Sequence, residues 1–135
     1  MRKYLFTLIM GLMLVFAMSS CDNRTQLELG IEEANAELPE DMGNGMVMTH
    51  CELVGNSVIY TIECDENEIV MEALKEAKAE MYEVMVQSLK EETDEDVKEL
   101  YRMLKEENID MKFKYVSKQS RDELIITIPA MNIPY

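Results

Sequence analysis

An α+β domain is the fold this chain predicts: a four-stranded antiparallel sheet made of two hairpins, with helices packed on one face, in the order α-ββ-α-α-ββ. Three observations lead there. Apolar residues recur at helical spacing over residues 25–38 and 69–104, but at a period of two over 46–64 and 111–128. Gly55-Asn56 sits in the middle of the first period-two stretch, where a tight hairpin turn belongs. Runs of helix and of hairpin segregated along a chain of this length read as one layered α+β unit.

The first element is a helix. Thr25-Gln26-Leu27-Glu28 fits a capping box, in which the threonine hydroxyl and the glutamate carboxylate each satisfy a free backbone amide. Leu27, Ile31, Ala34 and Leu38 follow on one stripe, and Pro39 closes the element because the residue before a proline is driven out of helical geometry.

Met46 to Cys64 forms the first hairpin. A two-residue Gly55-Asn56 loop pairs Val54 with Ser57, Cys51 with Tyr60 and Val47 with Cys64. One face then carries Val47, Thr49, Cys51, Leu53, Val58, Tyr60, Ile62 and Cys64 and is the core face. The other carries Met46, Met48, His50, Glu52, Ile59 and Thr61. With this register Cys64 lies four residues beyond the partner of Cys51, an offset of about 14 Å at roughly 3.4 Å per residue. A disulfide needs Cα atoms within about 7 Å, so the pair is expected as two buried free thiols.

Asp65-Glu66-Asn67-Glu68 is a second capping-box candidate, opening a helix of about seven turns with Val70, Ala73, Leu74, Ala77, Met81, Val84, Met85 and Leu89 on one stripe. Thr93-Asp94-Glu95-Asp96 caps a third helix, with Val97, Leu100, Tyr101 and Leu104 facing inward and Asn108 ending it. The second hairpin follows: Met111, Phe113 and Tyr115 alternate with Lys112 and Lys114, and after a turn near Ser120-Arg121, Leu124, Ile126 and Ile128 alternate with Glu123, Ile125 and Thr127.

Ahead of the domain, Arg2 and Lys3 precede an almost wholly apolar run from Tyr4 to Ala17, the pattern of a secretory signal peptide over residues 1–20. The run is too short for the roughly 20 residues that span a bilayer. Ser19-Ser20-Cys21 at its end resembles the lipobox of bacterial lipoproteins. The resemblance implies that the Cys21 thiol takes up diacylglycerol and that cleavage frees its amine for acylation. Residues 21–24 then form a lipidated tether, and 25–135 the single domain. Several acyl chains at about 0.8 kcal/mol per buried CH₂ give the stable anchoring that one chain does not.

Of the 135 residues, 27 are Asp or Glu and 13 Lys or Arg. Losing residues 1–20 takes away Arg2, Lys3 and no carboxylate, so the charge moves from −14 to −16. Such a chain repels phosphate backbones and anionic headgroups, which argues against nucleic acid as a partner and against a domain lying flat on its membrane.

Asn35-Ala36-Glu37-Leu38-Pro39, Glu52 to Thr61 and Ile109 to Tyr115 also resemble a set of small extracytoplasmic bacterial proteins of unknown function. That resemblance implies a helix ending in Leu-Pro, a hairpin, paired helices and a closing Lys/Arg-Tyr strand, and no activity.

For chemistry, Met46, Met48 and His50 on one strand face are the candidate metal ligands, since thioethers beside an imidazole suit Cu(I). The acidic runs lack the glycine and distal glutamate of an EF-hand loop. Lys112, Lys114 and Lys118 form a basic stripe, read either as a docking surface for an acidic partner or as cross-strand partners of Glu123 and of Glu52 or Glu63. No constellation for catalysis and no cofactor site is expected. The reading is therefore a lipid-anchored, extracytoplasmic, non-catalytic binding or assembly module of the cell envelope, at the cell or outer membrane, with copper handling through Met46, Met48 and His50 as the alternative.

Overall fold

A computed structural model describes residues 23–135 of the protein. The signal stretch and Cys21 lie outside the described residues. Helix α1 (Asn23–Ala36) leads into strands β1 (Glu40–Gly43), β2 (Met46–Val54) and β3 (Ser57–Cys64). Helices α2 (Met71–Glu76), α3 (Lys78–Lys90) and α4 (Glu95–Glu106) follow. Strands β4 (Asp110–Ser117) and β5 (Glu123–Ile128) and a 3-10 turn, Ala130–Asn132, end the chain.

The sheet is five-stranded and mixed, in the linear order β1-β2-β3-β4-β5. This corrects the expected four antiparallel strands twice. First, β1 pairs antiparallel with β2 through the turn Gly43-Asn44-Gly45, whose three residues all take positive φ (82°, 57° and 79°). Second, β3 and β4 run parallel, with Tyr60 beside Phe113 and Ile62 beside Tyr115. Parallel neighbours need a crossover. Residues 65–109, with all three later helices, supply it, carrying the chain back to the end of the sheet where β3 began.

Register held over most of the first hairpin: Val54 pairs with Ser57 and Cys51 with Tyr60. Beyond His50 it slips by one residue, because a bulge between Met48 and His50 leaves Thr49 without a partner, and Val47 pairs with Glu63 instead of Cys64. An extra residue in one strand reverses which side chains face inward. Met46 and Met48 are therefore buried beside Cys51, while Val47 turns to the open face.

The buried face of the sheet, with Cys51, Val58, Tyr60, Ile62, Cys64, Met111, Phe113, Tyr115, Leu124, Ile126 and Ile128, forms one core with Leu27 and Ile31 of α1, Met81, Met85 and Leu89 of α3, and Leu100, Tyr101 and Leu104 of α4. Tyr60 and Phe113 stack at 5.0 Å between ring centroids. Burying each such side chain contributes roughly 1.5–3 kcal/mol. Many of the 13 methionines sit here too, their unbranched side chains filling the uneven gap between a twisted sheet and crossing helices. Cys51 and Cys64 are both free and buried, as the hairpin register requires.

The expected long helix is two. Ala77, at φ −88° and ψ 3°, separates α2 from α3, and α2 starts at Met71, not at the acidic run, with an exposed Val70 before it. The third helix is as expected: the Asp94 carboxylate accepts from the amides of Asp96 and Val97 at its N-terminus, and Asn108 leaves it at φ 56°.

Candidate functional site

The three proposed copper ligands are pulled apart. Met46 and Met48 point into the core, 3% and 1% exposed, whereas His50 lies on the other side of the bulge with half of its side chain in solvent. Its Nε2 is 3.4 Å from Glu52 Oε2. The single strand face on which a Met-Met-His site depends does not exist, because the bulge at Thr49 puts the imidazole opposite the thioethers.

The side of the sheet away from the helices is open. Across it run Glu52, Ile59, Lys112 and Thr127 in one register row and His50, Thr61, Lys114 and Ile125 in the next. Ile125 is 42% exposed and Ile59 half-buried. Lys114 Nζ lies 3.7 Å from Glu123 Oε2, so one lysine of the stripe has the cross-strand partner expected of it. Lys118 is not part of the stripe. It follows β4, donates its backbone amide to Cys64 O, and lines a cleft at one end of the sheet.

That cleft, of about 270 Å³, is bounded by Asp41, the Gly43–Gly45 turn, Val47, Glu63, Asp65, Glu68 and Lys118. Beside it, the loop after β3 is fastened to the β4–β5 turn. Glu66 Oε2 accepts from Ser117 Oγ at 2.5 Å and Ser120 Oγ at 3.1 Å, and these hydroxyls hold its carboxyl below the usual range. Asp65 Oδ1 accepts from the Asn67 amide and from Gln119 Nε2, which lowers its pKa likewise. Lys75 Nζ meets Asp122 Oδ2 at 2.5 Å; that hydrogen bond lowers the carboxyl and raises the amine. The acidic run read as a capping box is therefore a latch between two loops. Among the described residues no three His, Cys, Asp or Glu side chains gather closely enough to hold a metal ion. The cleft is lined by one lysine, Lys118, and four carboxylate residues, Asp41, Glu63, Asp65 and Glu68, a polar notch.

The sequence matches no protein-family model and no curated protein. Two solved structures share the fold. One is a Pseudomonas aeruginosa protein assigned as secreted, with a TM-score of 0.66 at 12% identity over 87% of this chain and 99% of that one. The other is a pilotin from the type 2 secretion system of Vibrio vulnificus, with a TM-score of 0.50 at 14% identity over 84% of this chain and 96% of that one. At these identities the likeness is one of fold, and it extends over nearly the whole length of both of those chains.

One side chain of structural weight went unread in the sequence. Asn35 donates Nδ2 to Cys51 O at 2.5 Å and accepts from Cys51 N at 2.9 Å. It takes the place of a neighbouring strand where β1 has ended. Burial pushes the Cys51 thiol up to about 12 and the Cys64 thiol up to about 11, which disfavours the thiolate at both.

Proposed function

We propose that the protein is a lipid-anchored, extracytoplasmic assembly module, a pilotin-like subunit that binds another protein of the cell envelope and does no chemistry of its own. The observation that carries this reading is the fold held in common with a type 2 secretion pilotin across 84% of the chain. The fold held in common with a protein assigned as secreted supports the extracytoplasmic address, as does the signal pattern that ends at Cys21. No described helix is long and apolar enough to cross a membrane, and acylation of Cys21 is the attachment we propose. The open sheet face, with Ile59 and Ile125 set among Lys112, Lys114 and Thr127, is the surface offered to the partner.

Palmitate labelling of the full-length protein in a bacterial host should mark the wild type and not Cys21→Ser. A photo-crosslinker at Ile125 should give one discrete adduct with an envelope protein, lost when Lys112 and Lys114 are changed to Glu. An unlabelled wild type overturns the anchor; a labelled protein without an adduct overturns the assembly role.

A further inference from the structure

We infer that the protein stands end-on to its membrane, with the tip of the β2–β3 hairpin in the headgroup layer and the acidic cleft at the far end, facing away. This rests on lipid anchoring at Cys21, and it follows from where the chain emerges. Asp22 alone separates Cys21 from α1, which begins at Asn23. Two Cα steps reach about 7 Å at most, so an acylated Cys21 holds the start of the helix against the bilayer surface with almost no slack.

The start of the helix is tied to one end of the sheet. Arg24 Nη2 donates to Gly55 O at 2.9 Å, at the hairpin tip. From there the chain runs away: Asn35 reaches Cys51, Glu40 lies beside Met48 and Gly43 beside Met46. From Val54 back to Met46 is eight residues of β2, roughly 26 Å at about 3.3 Å per residue. The tip end also holds the start of β4, whose Asp110 amide donates to Asn56 O. It holds the turn after β5 as well, where the Ala130 amide donates to Asp110 Oδ1. Two exposed apolar side chains, Val54 at 51% and Met131 at 80%, are thus on the membrane side.

Charge permits this orientation without enforcing it, since Lys118 and Arg121 stand among the acids of the far end, Arg121 3.8 Å from Glu63. The cleft carboxylates Asp41, Glu63, Asp65 and Glu68 are at the far end, several Debye lengths (each about 8 Å at physiological ionic strength) from anionic headgroups, where repulsion is screened. Turned over, the same carboxylates would press on the headgroups. The tip end has acids too, Glu106 and Glu107 at the close of α4, so the covalent tether, and not attraction, sets the position.

The test uses the full-length protein matured through the lipoprotein pathway and placed in vesicles of phosphatidylethanolamine and phosphatidylglycerol carrying a nitroxide on the headgroup. A fluorophore is attached at Asn56→Cys, at the tip, or at Lys118→Cys, beside the cleft; both native positions are exposed, and Cys51 and Cys64 are buried from the label. The N-terminal peptide of each sample is weighed. The expected result is a diacylglyceryl mass on Cys21, several-fold quenching at 56 and none at 118. Acylated protein quenched equally at both sites, at neither, or only at 118 overturns the orientation and leaves the anchor standing. Absence of the acyl mass overturns both.

Discussion

At Gly45 two independent demands meet on one residue. Its φ of 79° is in the left-handed region, and a Cβ there would come within 2.7 Å of Glu68 Cβ and 3.3 Å of Asp65 O, whose own amide donates back to Gly45 O. Gly43 and Gly55 also take positive φ, but a Cβ on either meets nothing within 4 Å. The left-handed conformation alone costs a residue with a side chain roughly 1–2 kcal/mol, and the clash at 45 adds displacement of the loop that β3 feeds. Gly45→Ala is therefore expected to lose ~2–4 kcal/mol of stability and Gly43→Ala only the ~1–2 kcal/mol of the conformation itself, read as urea midpoints of the soluble domain. Equal losses at the two positions would show that the contact with Glu68 is not held in solution.

Among the elements, β2 shows why strand edges need partners. β1 covers it only from Met46 to Met48, and past the bulge the outward amide and carbonyl of Cys51 face α1. Asn35 satisfies both with its one side-chain amide, as a peptide group would. Removing a partner from partly buried backbone groups costs about 1–3 kcal/mol. Asn35→Ala should lower stability by that amount and speed exchange of the Cys51 amide hydrogen, leaving the Tyr60 amide slow; a protected Cys51 amide in the variant would mean another group caps the edge. Nothing in the composition of α1 distinguishes Asn35 from a solvent-facing polar residue, so this role was not legible. The helices and their inward stripes were, because burial of Leu27, Ile31, Leu100 and Leu104 demands the 3.6 period that the sequence displays. The break at Ala77 was hidden by that same stripe, which continues in phase across it from Leu74 to Met81. Strand β1 left little trace for a related reason: of Glu40-Asp41-Met42-Gly43, Met42 alone is apolar, and the signal was the Gly-Asn-Gly that follows. The bulge defeated the copper site because Val47, Met48 and Thr49 each suit either face of a sheet, and a slip of one residue exchanges the faces.

The parallel β3–β4 pair is a property of the whole chain. A strand's alternation is the same whichever way its neighbour runs, so the sequence could mark β3, β4 and their buried side chains but not the crossover that places Ile62 beside Tyr115. That pairing closes the core over groups that ionise only at high pH. Burial pushes Cys51 up to about 12 and Cys64 up to about 11 from an ordinary 9.0, with Glu52 opposing the first charge and Glu63 and Glu66 the second. Burial raises Tyr60, Tyr101 and Tyr115 as well. A folded-state pKa above the unfolded one means that folding favours the protonated form, so the associated stability is full below about pH 9 and is lost as pH rises through 11 and 12. Urea midpoints of the soluble domain should hold level from pH 7 to 8.5 and fall steadily above 9. Cys51→Ala with Cys64→Ala removes the thiol share of that dependence and leaves the tyrosine share, so its curve should fall less steeply. At pH 8 an alkylating reagent should leave both thiols untouched in the folded protein and modify both in denaturant without prior reduction. A midpoint level to pH 11, or thiols that react at pH 8 without unfolding, would mean that the sheet does not seal these groups beneath the helices.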